Sequence, residues 1–112
     1  MKFPTITIDD FKKIDIRVGM VLDATIPAGS EKLIQLSVDL GTDYGIVTIL
    51  TGLHMFYQPD DFKQKKFLFL ANLQERKMMG IPSQGMLMAG DEDGKATLIE
   101  VPSSVPIGLK II

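Results

Sequence analysis

Ile34-Gln35-Leu36-Ser37-Val38-Asp39-Leu40 alternates apolar and polar side chains without a break. A period of two over this length is the mark of a strand with one face in a core and the other in water. The same alternation lies upstream, where Ile14, Ile16, Val18, Met20 and Leu22 are apolar and Asp15, Arg17 and Asp23 are polar. Pro27-Ala28-Gly29-Ser30 separates the two runs as a turn, and Gly41-Thr42-Asp43 marks the next one. Beyond it, Ile46-Val47-Thr48-Ile49-Leu50 is β-branched and reads as a more fully buried strand. Three such segments joined by tight turns predict an antiparallel meander.

Working outward, Thr7-Ile8-Asp9-Asp10-Phe11-Lys12-Lys13 reads as one or two turns of helix, with Thr7 as N-cap, acids in the first turn and lysines in the last. Pro59-Asp60-Asp61-Phe62 reads as a short helical turn. Phe67 to Ala71 is a buried strand, Met78-Met79-Gly80-Ile81-Pro82 breaks the pattern, and Met86 to Ala89 resumes it. Asp91-Glu92-Asp93-Gly94 is a solvated turn, followed by a strand over 96–101 and a final extended piece over 109–112. Six or seven short strands with hardly any helix predict a small all-β Greek-key barrel, which closes its own edges, with a sandwich as the second choice. No internal repeat or linker is seen, so residues 1–112 are expected to form one domain.

With 112 residues, 46% of them hydrophobic and 23% charged, the chain can bury a real core and is not a disordered segment. It has no cysteine, which excludes disulfides and thiolate metal sites and fits a cytoplasmic location. No signal-peptide pattern opens the sequence, and no run approaches the roughly 18 apolar residues of a membrane span. A net charge of −2 and a pI near 5.2 argue against a protein that coats nucleic acid by bulk electrostatics. The charge is segregated, however. Lys63, Lys65, Lys66, Arg76 and Lys77 are opposed within their stretch only by Glu75, while acids gather at Asp9-Asp10, Asp60-Asp61 and Asp91-Glu92-Asp93.

Signs of an active site are thin. His54 is the only histidine, so no two-histidine metal set exists, and Asp91-Glu92-Asp93-Gly94 lacks the spaced ligands of a calcium loop. No G-x-S-x-G elbow, G-x-G-x-x-G fingerprint or P-loop is present. His54 reads as a surface or packed residue after a strand, and a hydrolase or lyase built on it stands as the least favoured reading. No catalysis and no cofactor are expected.

The most informative stretch is Asn72-Leu73-Gln74-Glu75-Arg76-Lys77-Met78-Met79-Gly80-Ile81-Pro82-Ser83-Gln84-Gly85-Met86. It resembles N-L-x-P-x-K-x-x-G-x-x-S-x-G-M, the signature of the tRNA-binding OB-fold domain. That domain is found in endothelial-monocyte-activating-polypeptide-II-like proteins, in C-terminal extensions of methionyl-tRNA synthetases and in free-standing tRNA-binding proteins. Asp15-Ile16-Arg17-Val18-Gly19, Glu31-Lys32-Leu33 with Val38-Asp39-Leu40-Gly41, Thr51-Gly52-Leu53 and Val105-Pro106-Ile107-Gly108 resemble further family motifs in the same order.

The resemblance implies a five-stranded Greek-key OB-fold barrel with a short N-terminal helix and a C-terminal β extension. It also implies tRNA recognised by shape, a homodimer, and a methionyl-tRNA synthetase as a possible partner. By position, Lys32, Lys77, Ser83, Gln84 and Met86 match the family's tRNA-contacting residues, and Arg76 adds a second cation beside Lys77. Lysines neutralise phosphates, and Ser and Gln can bond phosphate or ribose. Glu75 stands where the family has proline, and Gln74 where it is often basic, so weak binding with a shallow salt slope is expected.

Gly80 and Gly85 read as backbone devices, Asp15 and Arg17 as a structural pair, and Lys63, Lys65 and Lys66 as a solvated loop. Asn72 reads as a buttress of loop backbone. The alternative function is a homodimeric protein-interaction or secretion-chaperone-like module, suited by Met78, Met79, Met86 and Met88. The apolar tail Leu109-Lys110-Ile111-Ile112 needs cover from the core or from a second subunit.

Overall fold

The computed structural model describes residues 1–112. Thr7 caps helix α1 (Ile8–Phe11): its hydroxyl accepts the Asp10 N–H at 3.2 Å, and the Asp10 carboxylate accepts the Thr7 N–H in return. The meander follows as β1 (Ile16–Thr25), β2 (Ile34–Asp39) and β3 (Ile46–Thr51), all antiparallel. A 3-10 turn at Pro59–Asp61 leads into β4 (Lys66–Leu70), which returns to pair with β1. Next come β5 (Arg76–Met78), β6 (Ile81–Ser83) and β7 (Met86–Leu87), and last β8 (Gly90–Glu92) and β9 (Lys95–Thr97). The main sheet runs β3-β2-β1-β4-β7, and its two edge strands approach each other to form a nearly closed all-β barrel. No helix is long and apolar enough to cross a membrane.

β2 faces as its alternation predicts: Ile34, Leu36 and Val38 are fully buried and Gln35, Ser37 and Asp39 are not. β1 does not. The phase running through Ile16, Val18 and Met20 lies outside the barrel, and the core takes Val21 and Ala24 instead. A bulge between Val21 and Asp23 restores the register with β2. Gly19 explains the inversion. It points inward, where a Cβ would lie 2.7 Å from the Phe69 ring and 2.8 Å from Val38. The interior is filled from the facing strands, by Phe67 and Phe69 of β4 and by Phe62.

The first half of β1, beyond the reach of β2, is paired along its edge by the C-terminal segment. Val18 N–H donates to the Leu109 carbonyl at 3.0 Å, Gly108 N–H to Val18 at 2.7 Å and Ile111 N–H to Ile16 at 2.9 Å. Val101 pairs with Lys66 on β4, and the Lys66 ammonium donates to the carbonyls of Ser103 and Val105 at 2.7 and 2.6 Å. Lys66 is thus a strap for the extension rather than part of a solvated loop. The expected strand over 96–101 is shorter: β9 ends at Thr97, and its hairpin with β8 turns at Asp93-Gly94, both in the left-handed region.

The stretch Met78 to Pro82, read from sequence as a break, is the tip of a second hairpin. Met79 and Gly80 take φ of 54° and 76°, which makes a type I′ turn between β5 and β6. This hairpin lies along β3 and carries Arg76, Lys77 and Ser83.

Candidate nucleic-acid interface

The hairpin sorts the expected contact residues by strand geometry. Cross-strand partners share a face and neighbours along a strand do not. Arg76 pairs with Ser83 and Met78 with Ile81, so these four share the face turned to the barrel. Lys77 pairs with Pro82, and both are exposed on the opposite face. Arg76 and Lys77 therefore present their charges on different sides of one ribbon. Arg76 reaches the Met78 sulfur at 3.7 Å and lines a recess of about 50 Å³ with Leu50, Leu73, Ser83 and Met86.

Ser83 is not on the surface. It is 5% exposed; its hydroxyl accepts the Leu50 N–H at 3.0 Å and donates to the Gly85 carbonyl at 3.4 Å. Burial puts it out of direct reach of a ligand, and its donor proton and one of its two lone pairs are spent inside the fold, which is a structural role. Gln84 is exposed, and its backbone N–H donates to the Thr48 carbonyl at 2.8 Å while its Oε1 accepts the Thr48 N–H at 3.2 Å. Its amide NH2 makes no bond within the chain. Ser83 and Gln84 thus close the barrel against the open edge of β3, where no strand pairs. Gly85 makes that approach possible: its φ is 130°, and a Cβ would sit 2.9 Å from the Leu70 carbonyl. Met86 is 45% exposed beside the recess, so it faces solvent rather than the core.

Lys32 lies on the β1–β2 loop, which is folded by the Ser30 hydroxyl accepting the Leu33 N–H at 2.9 Å. The tip of the β5–β6 hairpin reaches this loop: the Met79 methyl would be 3.8 Å from a Cβ on Gly29. The fold therefore brings Lys32 and the Arg76-Lys77 hairpin to the same end of the barrel, although more than forty residues separate them in sequence. None of Lys32, Arg76 and Lys77 forms an ion pair. Lys63, by contrast, is taken up by Asp60 at 3.3 Å and Asp23 at 3.9 Å.

At the other end, Arg17 donates from Nε and Nη2 to Asp15 at 2.7 and 3.2 Å, and from Nη1 to Asp43 at 2.9 Å and the Gly108 carbonyl at 3.2 Å. Tyr44 donates to Asp15 at 2.6 Å, and the guanidinium stands 5.4 Å from the centre of its ring. The Arg17 hydrogen bonds hold the Asp15 carboxyl below its ordinary range, and the Asp15 carboxylate pushes the Tyr44 phenol up. Asn72 completes the end by accepting the Asp15 N–H at 2.9 Å and donating to the Lys13 carbonyl at 2.8 Å. Asp15, Arg17 and Asn72 are structural, as their sequence reading holds. Two features were missed: the closing role of Ser83 and Gln84, which has no sequence signal, and the hairpin turn, for which Met79-Gly80 was the one available cue.

Comparison with known proteins bears on the family and the fold. A family model described as "Putative tRNA binding domain" matches residues 16–110. A methionine–tRNA ligase of Caldanaerobacter subterraneus subsp. tengcongensis is 41% identical over 110 residues, covering 98% of this chain but only 17% of that enzyme. The chain thus spans about a sixth of the length of the curated relatives it matches. The crystal structure of a MetRS-related protein from Pyrococcus horikoshii superposes with a TM-score of 0.92 at 39% identity, covering 98% of this chain and all of that one. The chaperone CsaA of Bacillus anthracis shares the fold, with a TM-score of 0.84 at 24% identity over 97% of this chain and all of the other. With its strand order, its hairpin signature and nearly all its length accounted for, the chain belongs to the tRNA-binding domain family.

Proposed function

We propose that the chain is a non-catalytic module that binds folded tRNA by shape, through Lys32, Arg76, Lys77, Gln84 and Met86, with Ser83 holding the surface from beneath. The observation that carries this reading is that the β1–β2 loop bearing Lys32 and the hairpin bearing Arg76 and Lys77 lie at one end of the barrel, and that none of these three cations has an ion-pair partner. A lysine or arginine with no carboxylate to leave binds phosphate without first breaking a pair. Electrophoretic titration against folded tRNA, heat-unfolded tRNA and duplex DNA tests it. Folded tRNA should bind best, and equal binding of all three would refute shape recognition. Lys32→Glu with Lys77→Glu should abolish binding with an unchanged circular dichroism spectrum.

The module acts as a cytoplasmic homodimer, free-standing or beside a methionyl-tRNA synthetase. Support for the dimer comes from the termini, where Phe3, Ile6, Ile8 and Ile112 are 82%, 62%, 66% and 98% exposed. Apolar surface of that extent is what a second copy would cover. Sedimentation equilibrium should give twice the chain mass. A polypeptide-binding role is the second reading, favoured by the exposure of Leu73, Met79 and Met86 around the hairpin. Retention of unfolded peptides but no RNA on the immobilised protein would reverse the order.

A further inference from the structure

The turn that follows β3 is anchored on the core but leaves part of its apolar surface outside. Leu53 and Tyr57 pack against the core, and the Phe56 and Tyr57 N–H groups both donate to the Leu53 carbonyl at 3.0 Å. That geometry leaves Met55 72% and Phe56 40% exposed. The turn is fastened to the β1–β2 loop by His54 alone. Its backbone N–H donates to the Lys32 carbonyl at 3.1 Å, and its Nδ1 lies 3.0 Å from the Glu31 carbonyl. A carbonyl only accepts, so Nδ1 carries the proton and Nε2 is the uncommitted nitrogen of the ring.

Three chemistries are therefore carried on two loops that His54 holds together: a partly exposed aromatic side chain, an imidazole of fixed tautomer and an unpaired lysine. We infer that these two loops form a binding site for an unpaired ribonucleotide, in which Phe56 stacks on the base, His54 Nε2 meets the 2′-hydroxyl or a base edge, and Lys32 neutralises the adjoining phosphate. Unstacked bases in RNA are recognised by just such aromatic platforms, and the 2′-hydroxyl is what separates RNA from DNA. The inference rests on the tRNA reading and extends it from phosphate contact to base contact. Of the neighbouring acids, Asp60 is paired with Lys63, while Asp61 accepts the Gln58 N–H at 2.7 Å and keeps its charge. Glu31 is the remaining carboxylate of the two loops, and it is exposed beside Lys32.

Because His54 is the only histidine, its ring C–H protons give a private NMR signal. Titration of the whole chain with folded tRNA and with a short unpaired oligoribonucleotide should shift or broaden that signal, and the matching oligodeoxyribonucleotide should do so less. Phe56→Ala should weaken tRNA binding by about fivefold or more with an unchanged urea midpoint, the loss expected for one stacked base. Glu31→Gln should tighten binding by about twofold, since it removes the acid next to Lys32 in the chain. A static His54 signal at saturating tRNA, with Phe56→Ala binding as tightly as the parent, would overturn this site and leave the lysine surface standing. Failure of the parent chain to bind tRNA at all would overturn both. A His54 shift caused by an extended apolar peptide but not by RNA would overturn it as well.

Discussion

The Arg17 end of the barrel and the Lys32 end use similar residue types in opposite states. Arg17 is 13% exposed and spends its guanidinium on two carboxylates and a carbonyl, tying β1, the β2–β3 turn and the C-terminal extension together. Lys32, Arg76 and Lys77 are exposed and bond to no carboxylate. The difference follows from burial. A charge taken out of water must be matched at once or the fold loses several kcal/mol. A charge left in water gains little from a partner and stays available for an external phosphate. One end of the barrel is thus committed to stability and the other leaves its charges free for the proposed binding, and substitutions should separate the two properties.

The largest effect is expected from Arg17→Ala. It strands Asp15 without its cation and releases Gly108, so stability should fall by about 3 kcal/mol in urea denaturation. tRNA affinity, measured where the variant is still folded, should hold. Next, Ser83→Ala should cost about 1–2 kcal/mol, because the buried Leu50 N–H loses its acceptor. Here affinity should fall along with stability, since the hairpin bearing Lys77 rests on this closure. Lys32→Ala with Lys77→Ala should do the reverse of Arg17→Ala. Its unfolding free energy in urea should stay within about 0.5 kcal/mol of the parent. The slope of log affinity against log salt should become shallower by about one for each lysine removed.

The smallest effect concerns pH. Asp15 has a lowered pKa in the folded state, so its contribution is complete above the unfolded carboxyl pKa of about 4 and is lost as pH falls through the folded value. Tyr44 has a raised pKa, so its contribution is complete below the unfolded phenol pKa of about 10 and is lost as pH rises through the folded value. Tyr44→Phe should therefore flatten the alkaline limb of a urea-midpoint profile. It should also move acid unfolding to higher pH, because Asp15 loses one of its donors.

The sequence carried the meander plainly, because β2 is half-buried and its alternation is unbroken. β1 misled, since its regular apolar phase, Val18 included, is covered outside the barrel core while the core phase begins at Gly19, a residue with no side chain to signal direction. A period of two identifies a strand but cannot say which face is inside when both are covered. The β5–β6 hairpin was hidden for a different reason. Its strands are three residues each and largely exposed, so they carry no burial pattern. Within the site, Lys32 and Lys77 could be read from motif position, and the fold does bring their loops to one end. Ser83 was misread because a hydroxyl that caps a neighbouring strand and one that meets a ligand look alike in sequence. His54 gave no signal beyond its type, since its two anchors are backbone carbonyls.

The closure along β3 has a consequence for how the barrel keeps its alignment. Ordinary strand pairing is made of repeating backbone groups, so it can slide by two residues and find the same bonds again. On this edge the amides of Thr48 and Leu50 are met by a glutamine amide oxygen and a serine hydroxyl. Slippage in either direction would offer them the wrong side chain. The last seam is therefore keyed rather than zipped, and its two amide protons should exchange with solvent as a pair, on a timescale of their own.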